Sequence, residues 1–597
     1  MAETKTSLTG GMFLLRPTAP ADVFTPEDFD ENQRMIGQVV EEFCTKHIHP
    51  VAEELEYEGK TELGARLLKE AGTTGLLAAD VPEAYGGMGS NKATIMLISE
   101  KMANGGSFAV THGAQSGIGT LPIVYFGTPE QKQSYLPRLA TADLLTCYAL
   151  TEPGSGSDAL AAATTAKLSA DGRHYVLNGT KQYISNAAYA EIAVLFAKVD
   201  GEQFTAFIVD LKADGVSLGL EEKKMGIKGS STRAIILEDV QVPVENVLGE
   251  VGKGHLIAFN ILNVGRFKLG ASSVGGCKIV LEQVVPYTSD RHQFGQPLNS
   301  FPLIRRKLAQ VAARTFVTEA MVYRTAGLLD QAIGELDRGA DDYDLQSILK
   351  VQDFSIECSL IKVFATESLA LAAEEGVQML GGYGYCQEYP LERIYRDERI
   401  NRIFEGTNEI NRMIAPGMLL RKAAKNELPF FAAAQQVAEE LTGMPGLGDG
   451  GEPGFLDDVE RIVANMKKVV LATLGLAAQK HGPAIKDQQE ILSDAADIIM
   501  EAYACESGLL RARKRAAAGG EEAAATMADM LTLYAHDAIE RVAVWGKNIL
   551  GATVEGDELR AYLSGLRRLT KHDPVNRPRL HDIIAGRVID AGGYTVG

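Results

Sequence analysis

The sequence has few of the residues that mark secreted, metal-binding or membrane-spanning proteins. Its six cysteines are far apart and form no CxxC pair, so we expect a reducing compartment and no disulfide framework. Its ten histidines include no HExxH pattern, and His47 and His49, the nearest pair, would point to different faces of a helix. We therefore predict no metal site. No run of about 18 apolar residues occurs, so we expect no membrane-spanning helix.

Positive charge is also scarce. The 597 residues carry 59 Lys and Arg against 78 Asp and Glu, a net charge of -19, which excludes nucleic acid as an expected partner. The segment Met1 to Pro20 lacks both the apolar core of a secretory signal and the arginines of a transit peptide. We therefore expect a cytoplasmic, bacterial protein.

The length and the changes in hydrophobic period predict several domains. Helical spacing such as Ile36, Val39, Val40 and Phe43 gives way to alternating β-type segments with Asn-Gly and Asp-Gly turns, and then returns. The prediction is a mainly α fold with a central antiparallel β-barrel or sandwich and a four-helix bundle. Its parts are a helical domain at 1–144, the β domain at 145–254, the helical bundle at 255–425, a linker at 426–454 and an extra C-terminal helical domain at 455–597.

A glycine- and serine-rich loop follows the first expected strand, at Thr146 to Ala159. It contains a loose GxGxxA, but hairpins follow it where a dinucleotide-binding fold needs a helix, so we reject a Rossmann site. The free N–H and hydroxyl groups of such a loop can face a pyrophosphate, although most glycine-rich turns are only turns.

Three further segments have a chemical and a structural interpretation. Tyr183 and Ser185 can share one strand face, which is most often sheet packing. Arg291 lies in a charged break that is usually solvated but can grip phosphate. Glu405 stands between Phe404 and Gly406, where a carboxylate in an apolar pocket would have a raised pKa; a lone glutamate is usually solvated.

Taken together, these motifs resemble the acyl-CoA dehydrogenase family. The matching stretches are TEPGSGSDA, NGTKQYISN, ILNVGRF, DRHQFG, QMLGGYGY and RDERINRIFEGTNEINR, in family order over about residues 30–425. The stretch MGIKGSSTRAIILEDVQVPVENVLGE and the long C-terminal extension resemble the very-long-chain branch. The resemblance implies FAD as cofactor and acyl-CoA as substrate.

The resemblance also assigns roles to individual residues. Glu405 is the implied catalytic base. The implied FAD contacts are Tyr148, Leu150, Thr151, Gly156, Ser157, Tyr183, Ile184, Ser185, Arg291, Gln378, Gly381, Gly382, Thr407, Asn408 and Glu409. The implied substrate contacts are Ser157, Asn263, Arg266, Phe404 and Gly406, with Arg266 meeting an anionic group of CoA. Arg291 and 378–382 match the part that holds the FAD of a neighbouring subunit, which implies a homodimer.

Two departures from the family pattern bear on the site. Pro302 stands where many members have a glutamine that reaches the FAD adenosine, which leaves that contact in doubt. Gly265 occupies the position of the base in some relatives, and because glycine cannot accept a proton, the role falls to Glu405. Gly113, Ala114, Gly117 and Gly119 lie where the family forms the floor of its acyl pocket, which predicts a deep pocket unless they only permit close helix packing.

The expected reaction is the conversion of a long-chain fatty acyl-CoA to the trans-2-enoyl-CoA in β-oxidation. Glu405 would take the α-proton while the β-hydride goes to flavin N5, and electrons would pass to an electron-transfer flavoprotein. The alternatives are an acyl-CoA oxidase that uses O₂ and an assembly role in a respiratory complex. The C-terminal domain carries no chemical motif; it could complete a dimer contact or lie on a membrane through an amphipathic helix.

Overall fold

A computed structural model describes residues 8–442 and 454–596. The first domain is helical, and side chains fix where two of its helices begin. Asp30 and Gln33 form a capping box at the start of the first helix, and Thr128 and Gln131 form another at the last. The helices are α1 (Glu31–Phe43), α2 (Ala52–Glu56), α3 (Glu62–Thr73), α4 (Lys92–Met102), α5 (Ser107–Gly113), α6 (Leu121–Phe126) and α7 (Pro129–Ala140).

The central domain is an eight-stranded sheet built on alternating segments. Its strands are β1 (Thr146–Ala149), β2 (Thr165–Leu168), β3 (His174–Ser185), β4 (Ile192–Val199), β5 (Gln203–Asp210), β6 (Val216–Leu218), β7 (Thr232–Pro243) and β8 (Val247–Leu248). The order is β6-β7-β3-β2-β4-β5-β8, with β1 paired to β4. Both β1 and β2 run parallel to β4, so the expectation of a purely antiparallel domain was wrong.

Long helices form the bundle. They are α8 (Gly254–Asp290), α9 (Pro302–Gly334), α10 (Tyr343–Asp353), α11 (Ser355–Leu380), α12 (Pro390–Glu398) and α13 (Asn408–Ala424), with a small hairpin of β9 (His292–Gln293) and β10 (Gln296–Pro297) after α8. Pro302 is the first residue of α9, a position that needs no N–H donor and suits proline.

The C-terminal domain is helical, as predicted. It comprises α15 (Asp457–His481), α16 (Gln489–Gly519), α17 (Ala525–Thr553), α18 (Gly556–Leu569) and α19 (Arg577–Asp590). The linker predicted at 426–454 needs correction, because α14 (Phe430–Thr442) lies inside it. The alanine-rich sequence of α14 favours a helix. It was assigned to the linker because a glycine-rich segment follows it. Residues 443–453 of that linker lie outside the described residues.

The sequence predicted no disulfides, no metal site and no membrane-spanning helix, and the described residues bear on each of these predictions. Each of the six cysteines is a free thiol. Within 8–442 and 454–596, no group of three or more His, Cys, Asp or Glu side chains is placed to hold a metal ion. One helical stretch in the described part of the chain, Asp457–Asp487, is by length and composition alone apolar enough to cross a membrane. However, 67% of its most apolar window is buried in the protein, as in a core helix.

The segment before α1 packs against helices that come much later in the chain. The Glu27 carboxylate pairs with the buried Arg511 guanidinium of α16 at 2.6 Å. Thr18 accepts a hydrogen bond from Arg324 of α9, and Lys514 pairs with Asp28 at 2.5 Å. The N-terminal segment therefore ties the first domain to the C-terminal domain.

Candidate active site

A cavity of about 180 Å³ lies where α4, α5, α8 and the loop before α13 meet. Three elements form most of its wall: one face of α8, the small residues of α5, and the glycine-containing loop that follows the 3₁₀ turn Arg399–Arg402. Its lining is mostly apolar and includes Ile95, Ile98, Met102, Val110, Ile261, Val264, Leu269 and Phe404. Such a lining suits an alkyl chain.

Glu405 is one of two carboxylates among the residues that line this cavity. It is half-buried because one side faces the cavity, yet its Oε2 atom is buried and has no hydrogen-bond partner among the described residues. Burial raises the pKa of Glu405 to about 7, although the positive charges of Arg266 and Lys362 oppose the change. A carboxyl group with a pKa near neutrality and a free oxygen has the properties of a general base.

Gly265 on α8 makes room for this carboxylate. A Cβ atom built on Gly265 would lie 2.5 Å from Glu405 Oε2 and 2.7 Å from its Cδ. Any other residue at position 265 would therefore displace the carboxylate. Position 265, which carries the base in some relatives, lies directly beside Glu405. A carboxylate on α8 and one on the loop before α13 could therefore reach the same place in the cavity.

The loop around Glu405 is held by hydrogen bonds to its carbonyl groups. Glu405 has a φ of 58°, an unfavourable left-handed conformation for a non-glycine residue. Its carbonyl accepts from Arg266 Nε at 3.0 Å, and the next carbonyl, of Gly406, accepts from Lys362 Nζ and Asn411 Nδ2, each at 2.8 Å. These side chains stabilise a backbone conformation that would otherwise cost about 1–3 kcal/mol.

Arg266 and Asn263, the two predicted CoA contacts on α8, lie beneath the loop of Glu405. Both side chains are buried, and Arg266 donates to Asn263 Oδ1 at 2.8 Å as well as to the Glu405 carbonyl. These bonds engage the guanidinium inside the protein, and its contact with an anionic group of CoA stays a prediction. The sequence shows an arginine on a helix but does not show which way it points, and the structure assigns it to the loop.

The β domain contributes the residues predicted to hold the flavin. Tyr148 is buried, and its hydroxyl has no partner among the described residues. Burial raises the pKa of Tyr148, and the charge of Glu405 adds to the increase. Ser185 lines the cavity, while Ile184 is buried. Gly156 and Ser157 are exposed, and a Cβ on Gly156 would meet nothing within 4 Å. A free buried hydroxyl and an open glycine loop fit a ligand with polar and phosphate groups.

The loop that follows β1 is fixed by one buried carboxylate. Glu152 accepts from Lys181 Nζ at 2.7 Å and from Thr164 Oγ1 at 2.5 Å, and Lys181 also donates to the Leu150 carbonyl at 3.4 Å. The Thr151 carbonyl accepts from the Gln182 N–H. Leu150 and Thr151 are therefore held by backbone contacts next to β3.

Tyr183 differs from its strand prediction. The register of β3 shifts between Lys181 and Ile184, and Tyr183 has a φ of 59°, so Tyr183 and Ser185 do not simply alternate along one strand face. The ring of Tyr183 is 64% exposed and lies outside the residues that line the cavity. An exposed aromatic ring beside the site is free to stack on a planar ligand.

A second group of predicted residues lies apart from the cavity. Arg291 is exposed at the end of α8, and its guanidinium lies 5.7 Å from the centre of the Tyr383 ring. Gln378, Gly381 and Gly382 are exposed at the end of α11, and a Cβ on either glycine would meet nothing within 4 Å. None of these residues lines the cavity that contains Glu405.

The predicted contacts at the start of α13 have different environments. Thr407 caps α13, because its hydroxyl accepts from Ile410 N–H at 3.2 Å, and Glu409 is exposed. Asn408 is buried, and its side chain bonds Lys362 at 2.7 Å and Glu367 at 3.1 Å. The side chain of Asn408 is engaged inside the protein, and the FAD contact implied for this residue stays a prediction.

The small residues predicted at the floor of the acyl pocket divide into two groups. Gly113, Ala114 and Gly117 line the cavity. A Cβ on Gly119 would lie 2.6 Å from a methyl group of Thr146, so this glycine serves close packing instead.

An ion pair in the cavity wall was not anticipated. Lys268, one turn beyond Gly265 on α8, pairs with Asp80 at 2.5 Å, and both line the cavity. A Cβ on Gly117 would lie 3.8 Å from Lys268 Nζ. The two partners are 188 residues apart, so no local sequence signal could have found the pair.

Comparison with known proteins agrees with this architecture. Acyl-CoA dehydrogenase N-terminal, middle and C-terminal domain models match residues 30–143, 147–240 and 252–418, and a further acyl-CoA dehydrogenase C-terminal domain model matches 465–568. A probable acyl-CoA dehydrogenase of Bacillus subtilis is 48% identical over 588 residues, 98% of each chain.

Two further similarities extend along most of the chain. The very long-chain specific acyl-CoA dehydrogenase of rat mitochondria is 34% identical, covering 87% of this chain and 80% of its own. The crystal structure of an acyl-CoA dehydrogenase complexed with FAD from Bacillus anthracis is 49% identical, with a TM-score of 0.96 over 99% of this chain and 100% of that one. The chain therefore belongs to the acyl-CoA dehydrogenase family.

Proposed function

We propose that this protein uses FAD to convert long-chain fatty acyl-CoA to trans-2-enoyl-CoA in β-oxidation. The observation that carries the proposal is Glu405, which lines an apolar cavity and whose buried Oε2 atom has no hydrogen-bond partner among the described residues. The α-hydrogen of a thioester is weakly acidic, so its removal needs a base that is ionised near neutral pH and held against the substrate. FAD, when bound, supplies the acceptor for the β-hydride.

The chain's own residues provide the other requirements. As the family resemblance implies, the Glu405 N–H would donate to the thioester oxygen, where negative charge develops as the proton leaves. Arg266 and Lys362 keep that loop in place through its carbonyls. Tyr148 and Ser185, with the open loop at Gly156 and Ser157, would hold the flavin on the side of the β domain.

The length and lining of the cavity favour a long acyl chain as the substrate. Its residues on α8 extend from Ile261 to Ser272, and the part beyond Gly265 covers seven residues, roughly 10 Å of helix. Apolar side chains line most of it, and Gly113 leaves open space. Lys268 and Asp80 form one wall of this part, and Asp80 also pairs with Lys92 at 3.5 Å.

Anaerobic titration tests this function. Purified holoenzyme should lose its visible flavin absorbance on addition of palmitoyl-CoA and respond more weakly to butyryl-CoA, because the longer chain fills more of the apolar cavity. Loss of colour with butyryl-CoA alone would contradict the chain-length proposal. No loss with any acyl-CoA would contradict the dehydrogenase function itself.

The activity should rise with pH through the neutral range. Glu405 must be ionised to accept a proton, and its pKa is about 7 because burial disfavours the charged form. We therefore expect kcat/KM to be low at pH 5.5, half-maximal near pH 7 and level above about pH 8, measured with palmitoyl-CoA and an artificial acceptor. A profile that is flat from pH 5.5 to 8 would contradict this assignment.

We propose an electron-transfer flavoprotein as the electron acceptor, a homodimer as the working unit and the bacterial cytoplasm as the location. A shared cofactor site is supported by the exposed group of Arg291, Gln378, Gly381 and Gly382, which lies apart from the cavity of its own chain. The nearby Phe294 is 94% exposed, which is unusual for an aromatic residue that has no partner surface.

The oxidase alternative makes a different prediction for this same assay. An oxidase would release one hydrogen peroxide for each enoyl-CoA formed in air without any other acceptor. The assembly role gains no support from a specific residue, because the intact carboxylate of Glu405 has no purpose in it.

A further inference from the structure

A connected set of hydrogen-bonded side chains joins the loop of Glu405 to the C-terminal domain. We call it the Lys362–Asp497 network. Its members, in order from the loop, are Lys362, Asn408, Glu367, Arg412 and Asp497. They come from three helices of two domains: α11, α13 and α16.

The network begins at the catalytic loop. Lys362 is fully buried, and its Nζ donates to the Gly406 carbonyl at 2.8 Å and to Asn408 Oδ1 at 2.7 Å. Burial lowers the pKa of Lys362 to about 7, although the charge of Glu405 opposes the change. A buried lysine is costly unless its partners are fixed, so the site depends on the orientation of Asn408.

The network continues to the domain boundary. Asn408 Nδ2 donates to Glu367 Oε1 at 3.1 Å, and Glu367 accepts both arms of the Arg412 guanidinium, at 2.7 and 3.0 Å. The third donor of Arg412, Nε, reaches Asp497 Oδ1 at 2.9 Å. Arginine forms a rigid, planar fork, so a second carboxylate on its Nε fixes the plane in which it grips Glu367.

We propose that Asp497 of the C-terminal domain is a positioning residue for Glu405 and acts through this network. The inference rests on the proposed function of Glu405. The proposal gives the C-terminal domain a role that its sequence does not reveal. Through Asp497, this domain holds α11 and α13 in the relative position in which Lys362 bonds the Gly406 carbonyl. The strained φ of Glu405 makes that loop sensitive to the loss of one support.

The chain offers a matched control for this proposal. Asp582 on α19 pairs with Arg305 on α9 at 2.6 Å, so it also joins the C-terminal domain to the bundle through an aspartate and an arginine. No hydrogen bond found in the described residues leads from this pair to the loop of Glu405. Comparing Asp497→Asn with Asp582→Asn therefore separates positioning from general domain attachment.

The test uses holoenzyme with palmitoyl-CoA and an artificial acceptor. Asp497→Asn should lower kcat by roughly 2- to 30-fold with KM within about twofold of wild type, because it changes the geometry of the base and leaves the acyl cavity intact. Asp582→Asn should leave kcat unchanged, and thermal melting should report any loss of stability in both. Equal kcat values in the two variants, or a change in KM alone, would overturn the proposal.

Two further variants keep the test decisive if Asp497→Asn fails to fold. Arg412→Lys retains the charge but loses the fork, so it should lower kcat in the same way. Lys362→Met, combined with Arg412→Lys, should lower kcat by less than the product of the two separate losses, since both act through one loop. Independent losses would overturn the network. If wild type itself does not lose flavin colour with acyl-CoA, the proposed function fails instead.

Discussion

Replacing Glu405 by glutamine is expected to lower turnover by roughly 100- to 10,000-fold, the contribution that a general base makes. Glutamine has nearly the same shape as glutamate and cannot accept the proton. The cavity should keep its form, since Glu405 Oε2 has no hydrogen bond within residues 8–442 and 454–596 that the amide would break. The flavin absorbance and the binding of palmitoyl-CoA should be preserved, which spectral titration and rapid-mixing kinetics can measure.

A control for this variant is Glu427→Gln, which changes an exposed glutamate beyond α13 and should leave turnover unchanged. Wild-type turnover in Glu405→Gln would remove Glu405 from the chemistry. Loss of flavin together with activity would instead indicate a structural role.

The second large effect concerns the space beside Gly265. In a Glu405→Gly background, Gly265→Asp is expected to restore activity by about tenfold or more over Glu405→Gly alone. The Cβ of the new residue would lie 2.5 Å from the place that Oε2 leaves, and the oxygens of an aspartate extend two bonds further. We expect the double variant to stay about 100-fold below wild type, because a displacement of about 1 Å can cost that much.

Gly265→Asn in the same Glu405→Gly background is the matched control, since it has the shape of aspartate without its basicity. The two double variants should bind FAD and acyl-CoA alike and differ in turnover. Equal turnover of the aspartate and asparagine variants would show that a carboxylate at this place is not what the reaction needs.

Much of the fold could be predicted from the sequence because it depends on local patterns. Hydrophobic period separates the helical domains from the β domain, and turn residues mark the hairpins. The parallel pairing of β1 and β2 with β4 could not be predicted, because strand partners are set by contacts between distant segments. Helix α14 was missed because the glycine-rich segment after it dominates the local composition.

The sequence singled out Glu405, which the structure places in the cavity, but not the side chains that support its loop. The phenylalanine and glycine beside Glu405 are visible in the sequence, and the family resemblance adds its role. Lys362 and Lys268 look like ordinary lysines on helices until the fold buries them beside carbonyl and carboxylate groups. The bonds of Arg266 to the Glu405 carbonyl and to Asn263 were not predicted, because a sequence does not show which way an arginine points.

The contact between Glu27 and Arg511 has a consequence for synthesis on the ribosome. The two residues are 484 positions apart, so at 5–20 residues per second the arginine is made roughly 25 to 100 s after its partner. Throughout that interval the nascent first domain carries a carboxylate that has not yet met its counterion. The segment before α1 can therefore form its ion pair with Arg511 only after α16 has been made. A chain that stalls before residue 511 would lack this contact and expose its N-terminal segment to proteases.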